Sequence, residues 1–457
     1  MEGKTVFKKK RRAPHWGRIA GVAAALVILV VAGVGVGLYI SSRYSEKASY
    51  SIEVSDRAKG DYQSMVEDFR EENPKLKMVA GGSPDLVIDT RKRASYSSAL
   101  LQAVPALEMK AGDKEVTVGR KTDYYLLFKD NDGFVRRLSG YLKEPMPEIT
   151  LTACGDIITG RHVAERMAQH GVYYPFEKVA PYTKGADIIY GVLECPLSDR
   201  VKAPYAGTEF LAPSNTIDGI KLCGFNVLAL ANNHSTNFGR QVFTDTLDLL
   251  KSSNIKYAGG GLDSTEAFSP AFIDVKGVRF AFLDYNAIPG SLSAGANQAG
   301  VADIHMKPWF SDDPKDLELV KNSVSEARKK ADVVVVGFHW GKEDEYLPGE
   351  SMKNMAHSAC DAGADLVIGT HPHTVETFEY YNGKVIAYSL GNFVFDQMYM
   401  TQTREGVIMK CRFSRADLTN VELVPYKIYD FCQPNVLTGS SGQYLVDNVL
   451  KLSGFTD

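Results

Sequence analysis

The chain has 457 residues, with 52 Lys and Arg against 55 Asp and Glu, a net charge of −3, and 44% hydrophobic and 23% charged residues. Those proportions describe a packed protein of two or three domains and exclude a disordered chain, a collagen or a coiled coil. The only long basic run is Lys8 to Arg12, so no nucleic-acid partner is expected. Six cysteines (Cys154, Cys195, Cys223, Cys360, Cys411, Cys432) form no C-x-x-C pair, which excludes both a disulfide framework and a zinc ribbon.

Residues 1–18 form a basic segment, with Lys8-Lys-Lys-Arg-Arg12 and Arg18. Residues 19–40 then carry no charge, and at about 1.5 Å per residue a helix of that length spans the roughly 30 Å hydrocarbon core. Only Arg43 and Lys47 follow closely, so the positive-inside rule predicts a single-pass helix in the cell membrane, with the N-terminus cytoplasmic and the main domain extracytoplasmic. The run exceeds a signal-peptide core, and Ser41-Ser42-Arg43 makes a poor cleavage site, so an uncleaved anchor is favoured over a removed leader. Gly33 and Gly37 have G-x-x-x-G spacing, a weak signal for helix pairing.

Residues 44–147 have a different texture, with charge clusters and modest apolar runs that predict a small accessory α+β domain. Its strands are expected near Tyr50–Val54, Asp85–Asp89 and Glu115–Lys129, with a helix over Asp61–Glu72. Glu144-Pro-Met-Pro-Glu148 reads as a linker. From 148 to 432 short apolar runs alternate with helical stretches, the pattern of an α/β layered domain whose strands are buried on both faces. Strands are predicted at Ile149–Ala153, Asp187–Leu193, Val227–Leu230, Val278–Leu283, Asp332–Phe338, Asp365–Gly369 and Val385–Leu390, with helices over Val163–His170, Arg240–Ser252 and Pro314–Lys330. Alternating strands through 405–429 should complete a sheet edge, and residues 433–457 are expected as a C-terminal tail.

Chemistry-bearing residues follow these strands in turn. They are Cys154-Gly155-Asp156, then Glu194-Cys195, then Asn232-Asn233-His234, His339-Trp340-Gly341, and His371-Pro372-His373. Four of the nine histidines stand at strand ends, where ligands bind in open α/β sheets. Imidazole, carboxylate and amide oxygen without a thiolate cluster suit divalent manganese, zinc or iron, and so many donors suit two ions. Taken singly each residue has a plainer explanation: Asp156 as a helix cap, Asn232 and Asn233 in Asx turns, His234 as a satisfied structural histidine. Caps, however, do not need histidines on successive strands. Cys154 and Cys195 are expected to pack as small residues at strand ends, without redox chemistry. Arg161 is a candidate to steady an anionic substrate, and Glu343, Asp344, Glu345 and Tyr346 are candidates for an acidic loop at the cleft. Asn392 and Asp396 are candidates to hold a ligand imidazole.

Gly155-Asp156 with Arg161, Leu193-Glu194-Cys-Pro-Leu-Ser198, Ala231-Asn-Asn-His234 with Phe238-Gly239, His339-Trp-Gly341, Gly363 through His373, and Tyr388-Ser-Leu-Gly-Asn-Phe-Val-Phe-Asp396 together resemble the CapA capsule-synthesis family. The resemblance covers about residues 148–396. It implies a four-layer αββα metallophosphatase-like sandwich, here preceded by the transmembrane helix and the accessory module. It also implies a role in making, exporting or anchoring a poly-γ-glutamate capsule or a related anionic polymer, with other capsule-synthesis membrane proteins as partners. Carried over motif by motif, Asp156, Glu194, Asn233, His339, His371 and His373 would surround the metal ions. His234 would stand near the leaving group. The sequence departs from calcineurin-like phosphoesterases in having Ile158 where an Asp-x-His motif would place histidine, and Leu193-Glu194 in place of Gly-Asp-x-x-Asp. Metal-dependent hydrolysis or transfer is therefore one reading. A general extracellular phosphoesterase and a non-catalytic polymer-binding assembly factor are the alternatives.

Overall fold

The computed structural model describes residues 148–455 apart from 203, 205 and 415, and, before them, only the strand segments 5–9, 52–54, 86–88, 101–103, 107–111, 114–118 and 123–125. The apolar span 19–40 and the helix expected over Asp61–Glu72 lie outside the described residues. Among the described residues no helix is long and apolar enough to cross a membrane. Of the strands expected early in the chain, Ile52–Val54 pairs in parallel with Leu86–Ile88, and Lys114–Val118 pairs antiparallel with Leu107–Ala111.

Strands and helices are numbered here from residue 148. A first sheet has the order β4 (Lys256–Ala258), β3 (Val227–Ala229), β2 (Ile188–Leu193), β1 (Glu148–Ile157), β12 (Glu405–Ser414), β13 (Asp417–Tyr429), and it continues from β13 through segments 5–9, 107–111 and 114–118. The short β11 (Asn392–Val394) pairs with the end of β1, and β14 (Gln433–Val436) with β13. A second sheet has the order β5 (Ala271–Val275), β6 (Val278–Asn286), β7 (Val333–His339), β8 (Leu366–Thr370), β10 (Lys384–Ala387), β9 (Phe378–Tyr381). β1 to β4 run parallel, as do β6, β7, β8 and β10.

Strand side chains alternate between faces, and this alternation builds the layers. In β7, Val333 and Val335 join an apolar cluster with Leu151, Tyr190, Phe280 and Leu423 from both sheets, while Val334 and Val336 join one with Val320 and Val324 of α4 (Pro314–Arg328) and Met355 and Ala359 of α5 (Glu350–Ala362). In β3, Val227 faces the inter-sheet cluster, whereas Leu228 faces Ile220 of α2 (Ile217–Cys223), Phe243 and Leu247 of α3 (Arg240–Ser252) and Val163 of α1 (Arg161–His170). Two sheets therefore pack face to face with helices on their outer sides, and each fully buried valine contributes about 1.5–3 kcal/mol of apolar transfer.

The stretch from 433, expected as a tail, is instead part of the domain. β14 extends the sheet edge, and α6 (Gly439–Leu452) places Val446, Val449 and Leu450 in the inter-sheet core. Its apolar face has helical spacing, with Leu445, Val446, Val449 and Leu450 buried, which explains why it docks rather than trails.

Candidate metal centre

The parallel strands of both sheets point their carboxyl ends to the same side, so residues far apart in sequence meet there. Asp156 ends β1, Glu194 follows β2, Asn233 follows β3, His339 ends β7, and His371 and His373 follow β8. Asp156, Glu194 and His373 each offer a ligand atom within 4.8 Å of the others, all three buried. His339 lies between them, with Nε2 3.7 Å from Glu194 Oε1 and Nδ1 3.8 Å from Asp156 Oδ1. Nε2 of His339 is also 2.9 Å from Asn233 Oδ1, which joins a donor of the second sheet to one of the first. The His371 ring is 4.8 Å from that of His339 and 5.5 Å from that of His373, and its backbone N–H donates to Asp156 Oδ2 at 3.2 Å.

The local backbone is built for this convergence. His371 and His373 take φ of 94° and 60°, a region that costs energy for any residue with a Cβ and recurs at functional sites. Close approach requires glycine at two of the expected positions. A Cβ on Gly155 would lie 1.8 Å from Gly391 O, and one on Gly369 1.9 Å from Tyr388 O.

Electrostatically the cluster is incomplete as a set of protein groups alone. Asp156 Oδ1, both carboxylate oxygens of Glu194 and both ring nitrogens of His371 are buried and make no hydrogen bond to protein. Burying unpaired charge costs several kcal/mol, and unmatched buried polar atoms are rare in native folds. Burial, reinforced by the charge of Asp156, pushes the Glu194 carboxyl well above its ordinary value. Burial and the neighbouring imidazoles hold His339 and His371 far below theirs, hence neutral. Burial opposes charge on His373 too, but Glu194 and Asp156 outweigh it and raise that ring to about 9. The neutral imidazoles of His339 and His371, the His373 ring, two carboxylates and an amide oxygen fit divalent cations, whose charge would answer both orphaned carboxylates and displace the extra proton of His373.

Surrounding groups orient these donors. His373 Nδ1 is 2.8 Å from Asn392 Oδ1, an oxygen that can only accept, and 3.6 Å from Asp156 Oδ2, so Nδ1 carries a proton and Nε2 is the nitrogen that would ligate once a cation displaces the ring's other proton. His339 Nδ1 is 3.0 Å from Thr370 Oγ1. Asn392 thus has the role expected of it, and Asp396 does not. The carboxylate of Asp396 instead holds Arg161, whose Nε donates to Oδ2 at 3.1 Å and whose Nη2 donates to Oδ1. Arg161 Nη1 further donates to Gly207 O at 3.2 Å, and the guanidinium lies 4.3 Å from the Phe210 ring centroid. Arg161 is therefore largely committed to protein partners, beside the site rather than free to meet an anion.

The Asn232-Asn233 pair divides its labour. Asn232 Oδ1 accepts the N–H groups of His234 at 3.1 Å and Ser235 at 2.8 Å, making the Asx turn, while Asn233 meets His339. His234 stacks on Phe210 with centroids 3.8 Å apart and places Nδ1 2.9 Å from Asn237 Oδ1. Burial pushes its pKa down to about 4, so the ring is neutral at pH 7. The acidic loop packs on the histidine turn. Asp344 N–H donates to Pro372 O at 2.9 Å, Thr374 Oγ1 donates to Glu345 O, and Glu343 and Glu345 are exposed. Cys195 is buried, as expected, and its Sγ accepts the Thr159 backbone N–H at 3.3 Å. Sequence reasoning missed Thr370, Asn237 and Phe210, which carry no motif of their own.

A two-sheet α/β domain with a buried histidine and carboxylate cluster at its strand ends is the class that fold and site define. The sequence pattern of the family described as bacterial capsule synthesis protein PGA_cap matches residues 150–397, and the chain belongs to that family. It is similar to the capsule biosynthesis protein CapA of Bacillus anthracis, 34% identical over 290 residues that cover 62% of this chain and 68% of the relative. The PGA biosynthesis protein CapA of Bacillus subtilis (strain 168) is 34% identical over 280 residues, covering 60% of this chain and 70% of the relative. A probable polyglutamine synthesis accessory protein of Mycobacterium tuberculosis is 30% identical over 179 residues, covering 37% of this chain and 45% of that protein.

Proposed function

We propose that the chain is a membrane-anchored, extracytoplasmic member of this family that acts in the synthesis, export or anchoring of poly-γ-glutamate or a related anionic envelope polymer through a site that holds two divalent ions. The observation that carries the metal reading is the set of five buried, unpartnered atoms on Asp156, Glu194 and His371. A scaffold that only binds polymer has no need of them, which favours metal-assisted hydrolysis or transfer over the assembly-factor reading. The names of the Bacillus and Mycobacterium relatives support the polymer as substrate class.

Asp156, Glu194, Asn233, His339, His371 and His373 would hold the ions, which supply Lewis-acid polarisation of a substrate oxygen and an acidified water. His234, neutral and fixed through Nδ1 by Asn237, keeps Nε2 bare, so it would take a proton from that water and then pass it to the leaving group. Phe210 stacks on that ring, and the Arg161 guanidinium, held by Asp396, also lies against Phe210. To test this, the metal-loaded full chain is incubated with poly-γ-glutamate and, separately, with bis(p-nitrophenyl) phosphate. Release of new chain ends from the polymer supports the proposal, turnover of the phosphodiester alone supports a general phosphoesterase, and metal binding without either supports an assembly factor.

The charge asymmetry about residues 19–40 supports the anchor and its orientation. A second arrangement is favoured by one observation. Thr5–Lys9 pairs antiparallel with Asn420–Leu423 at the β13 edge, which would keep the basic segment on the domain's side. Protease added to intact protoplasts separates them: the anchor reading expects the domain to be digested and the N-terminus protected, and the second expects one fate for both.

A further inference from the structure

Asp284 lies on β6 and is 3% exposed, inside the apolar run Phe280-Ala-Phe-Leu-Asp-Tyr-Asn286. Its Oδ2 crosses to the first sheet and accepts the backbone N–H of Ala231 at 2.7 Å, just past the end of β3. From Ala231 the chain leaves the sheet and turns into Asn232, Asn233 and His234, so this bond replaces sheet pairing where the turn begins. Two glycines make room for the same carboxylate. A Cβ on Gly337 of β7 would stand 2.4 Å from Oδ1, and one on Gly259 would stand 2.7 Å from Oδ2 and 2.9 Å from Ala231 N. A leucine at 284 would satisfy the core but leave a buried N–H without an acceptor, which typically costs about 1–3 kcal/mol.

The two sheets are thereby pinned at two neighbouring points. Asp284 holds Ala231, and His339 meets Asn233 two residues further on; His339 in turn stands in register with Asn286, two residues beyond Asp284.

We infer that Asp284 is a positioning residue for the metal centre, fixing the β3-end turn so that Asn233 faces His339 across the two sheets. This rests on the metal reading above, and its test includes a readout that does not. Using the full chain, Mn2+ affinity is measured alongside hydrogen exchange, in chelator, of peptides covering 228–236 and 333–338. Loss of a residue that orients metal ligands typically weakens binding about 10- to 100-fold, and that is the expectation for both Asp284→Ala, which adds no bulk, and Asp284→Leu, which keeps the branched skeleton but is apolar. In both, exchange rises at 228–236 while 333–338 stays as in the parent. Asp284→Asn keeps an oxygen for the Ala231 N–H and can turn its amide towards the unpartnered Tyr190 hydroxyl, so it restores both readouts. Parent-like Mn2+ affinity and exchange in Asp284→Leu overturns the inference, as does a rise in exchange spread equally over both peptides. If the parent binds no Mn2+ or other divalent ion, the metal reading fails on its own, and the exchange contrast still decides whether Asp284 holds the turn.

Discussion

Strand β2 begins beside Asp187 and ends beside Glu194, and β8 begins beside Asp365 and ends beside His371, yet the two ends treat buried polar groups in opposite ways. At the starting end every charge is answered. Asp365 accepts Arg328 Nη1 at 2.6 Å, Val334 N–H at 2.8 Å and Lys384 Nζ. Asp187 accepts Thr150 N–H at 2.8 Å and Lys276 Nζ at 2.9 Å, and although burial works the other way these partners lower its pKa. At the finishing end Glu194 has no partner at either oxygen and His371 none at either ring nitrogen. Similar residues on the same strands thus show what separates a structural charge from a binding one, namely whether the protein itself completes its shell.

The sharpest way to break this contrast is to remove donors from the unanswered end. His371→Ala combined with His373→Ala should reduce divalent-ion affinity by at least about 100-fold if each is a direct ligand as proposed, while the chelator-treated variant still folds. Metal analysis and circular dichroism check both halves, and unchanged stoichiometry contradicts the assignment. Next in size, wherever hydrolysis is detected, is His234→Ala, which should keep its metal and lose about 10²–10⁴ in turnover, as loss of a positioned proton carrier does. Asn233→Ala should lose both, so the two variants assayed together tell a proton carrier from a ligand.

At the answered end the effect is on stability alone. Asp365→Ala leaves the buried Val334 N–H without its acceptor and takes the shared partner from Arg328 and Lys384, which solvent partly reaches, for a typical cost of about 1–3 kcal/mol. Denaturant midpoints should fall and metal stoichiometry should not. The smallest effect concerns Glu376, 2% exposed with Oε2 unpartnered, whose pKa burial and then Glu345 raise to about 8. A carboxyl raised in the fold binds more protons folded than unfolded between about 4.5 and 8, so its stabilisation is complete below that window and is lost as pH rises through it. Glu376→Gln should therefore be more stable than the parent at pH 9, and the gap should close by pH 5. A gap that widens towards acid reverses the sign and refutes the account of Glu376.

Much of the candidate centre was legible because its proposed ligands follow apolar strands directly. Asp156, Glu194, Asn233, His339, His371 and His373 each stand within a few residues of a predicted strand end, and sheet geometry alone brings them to one side. Asn392 was legible for the same reason. Asp396 was not, because whether a carboxylate meets an imidazole or a guanidinium depends on the path of the 207–211 loop around Arg161. Asp284 and Phe210 gave no signal, since their partners Ala231 and His234 belong to other elements and a lone Asp in Phe-Leu-Asp-Tyr reads like any strand residue. The fold of 433–452 was missed although its helix has apolar spacing, because the preceding β14 is short and carries Pro434.

The account's central claim is that the unanswered strand ends form a divalent-ion site, and ion-dependent stability tests it most directly. The full chain is stripped with chelator and its unfolding midpoint followed in separate titrations of Mn2+ and Zn2+, beside the His371→Ala, His373→Ala double variant. A ligand that binds only the folded state stabilises it by about 2.7 kcal/mol at a hundredfold excess over its Kd. The account predicts that the parent's midpoint climbs with the logarithm of ion concentration for at least one of the two ions, while the double variant's stays flat. Parent and double variant moving together, or neither moving with either ion, would contradict it.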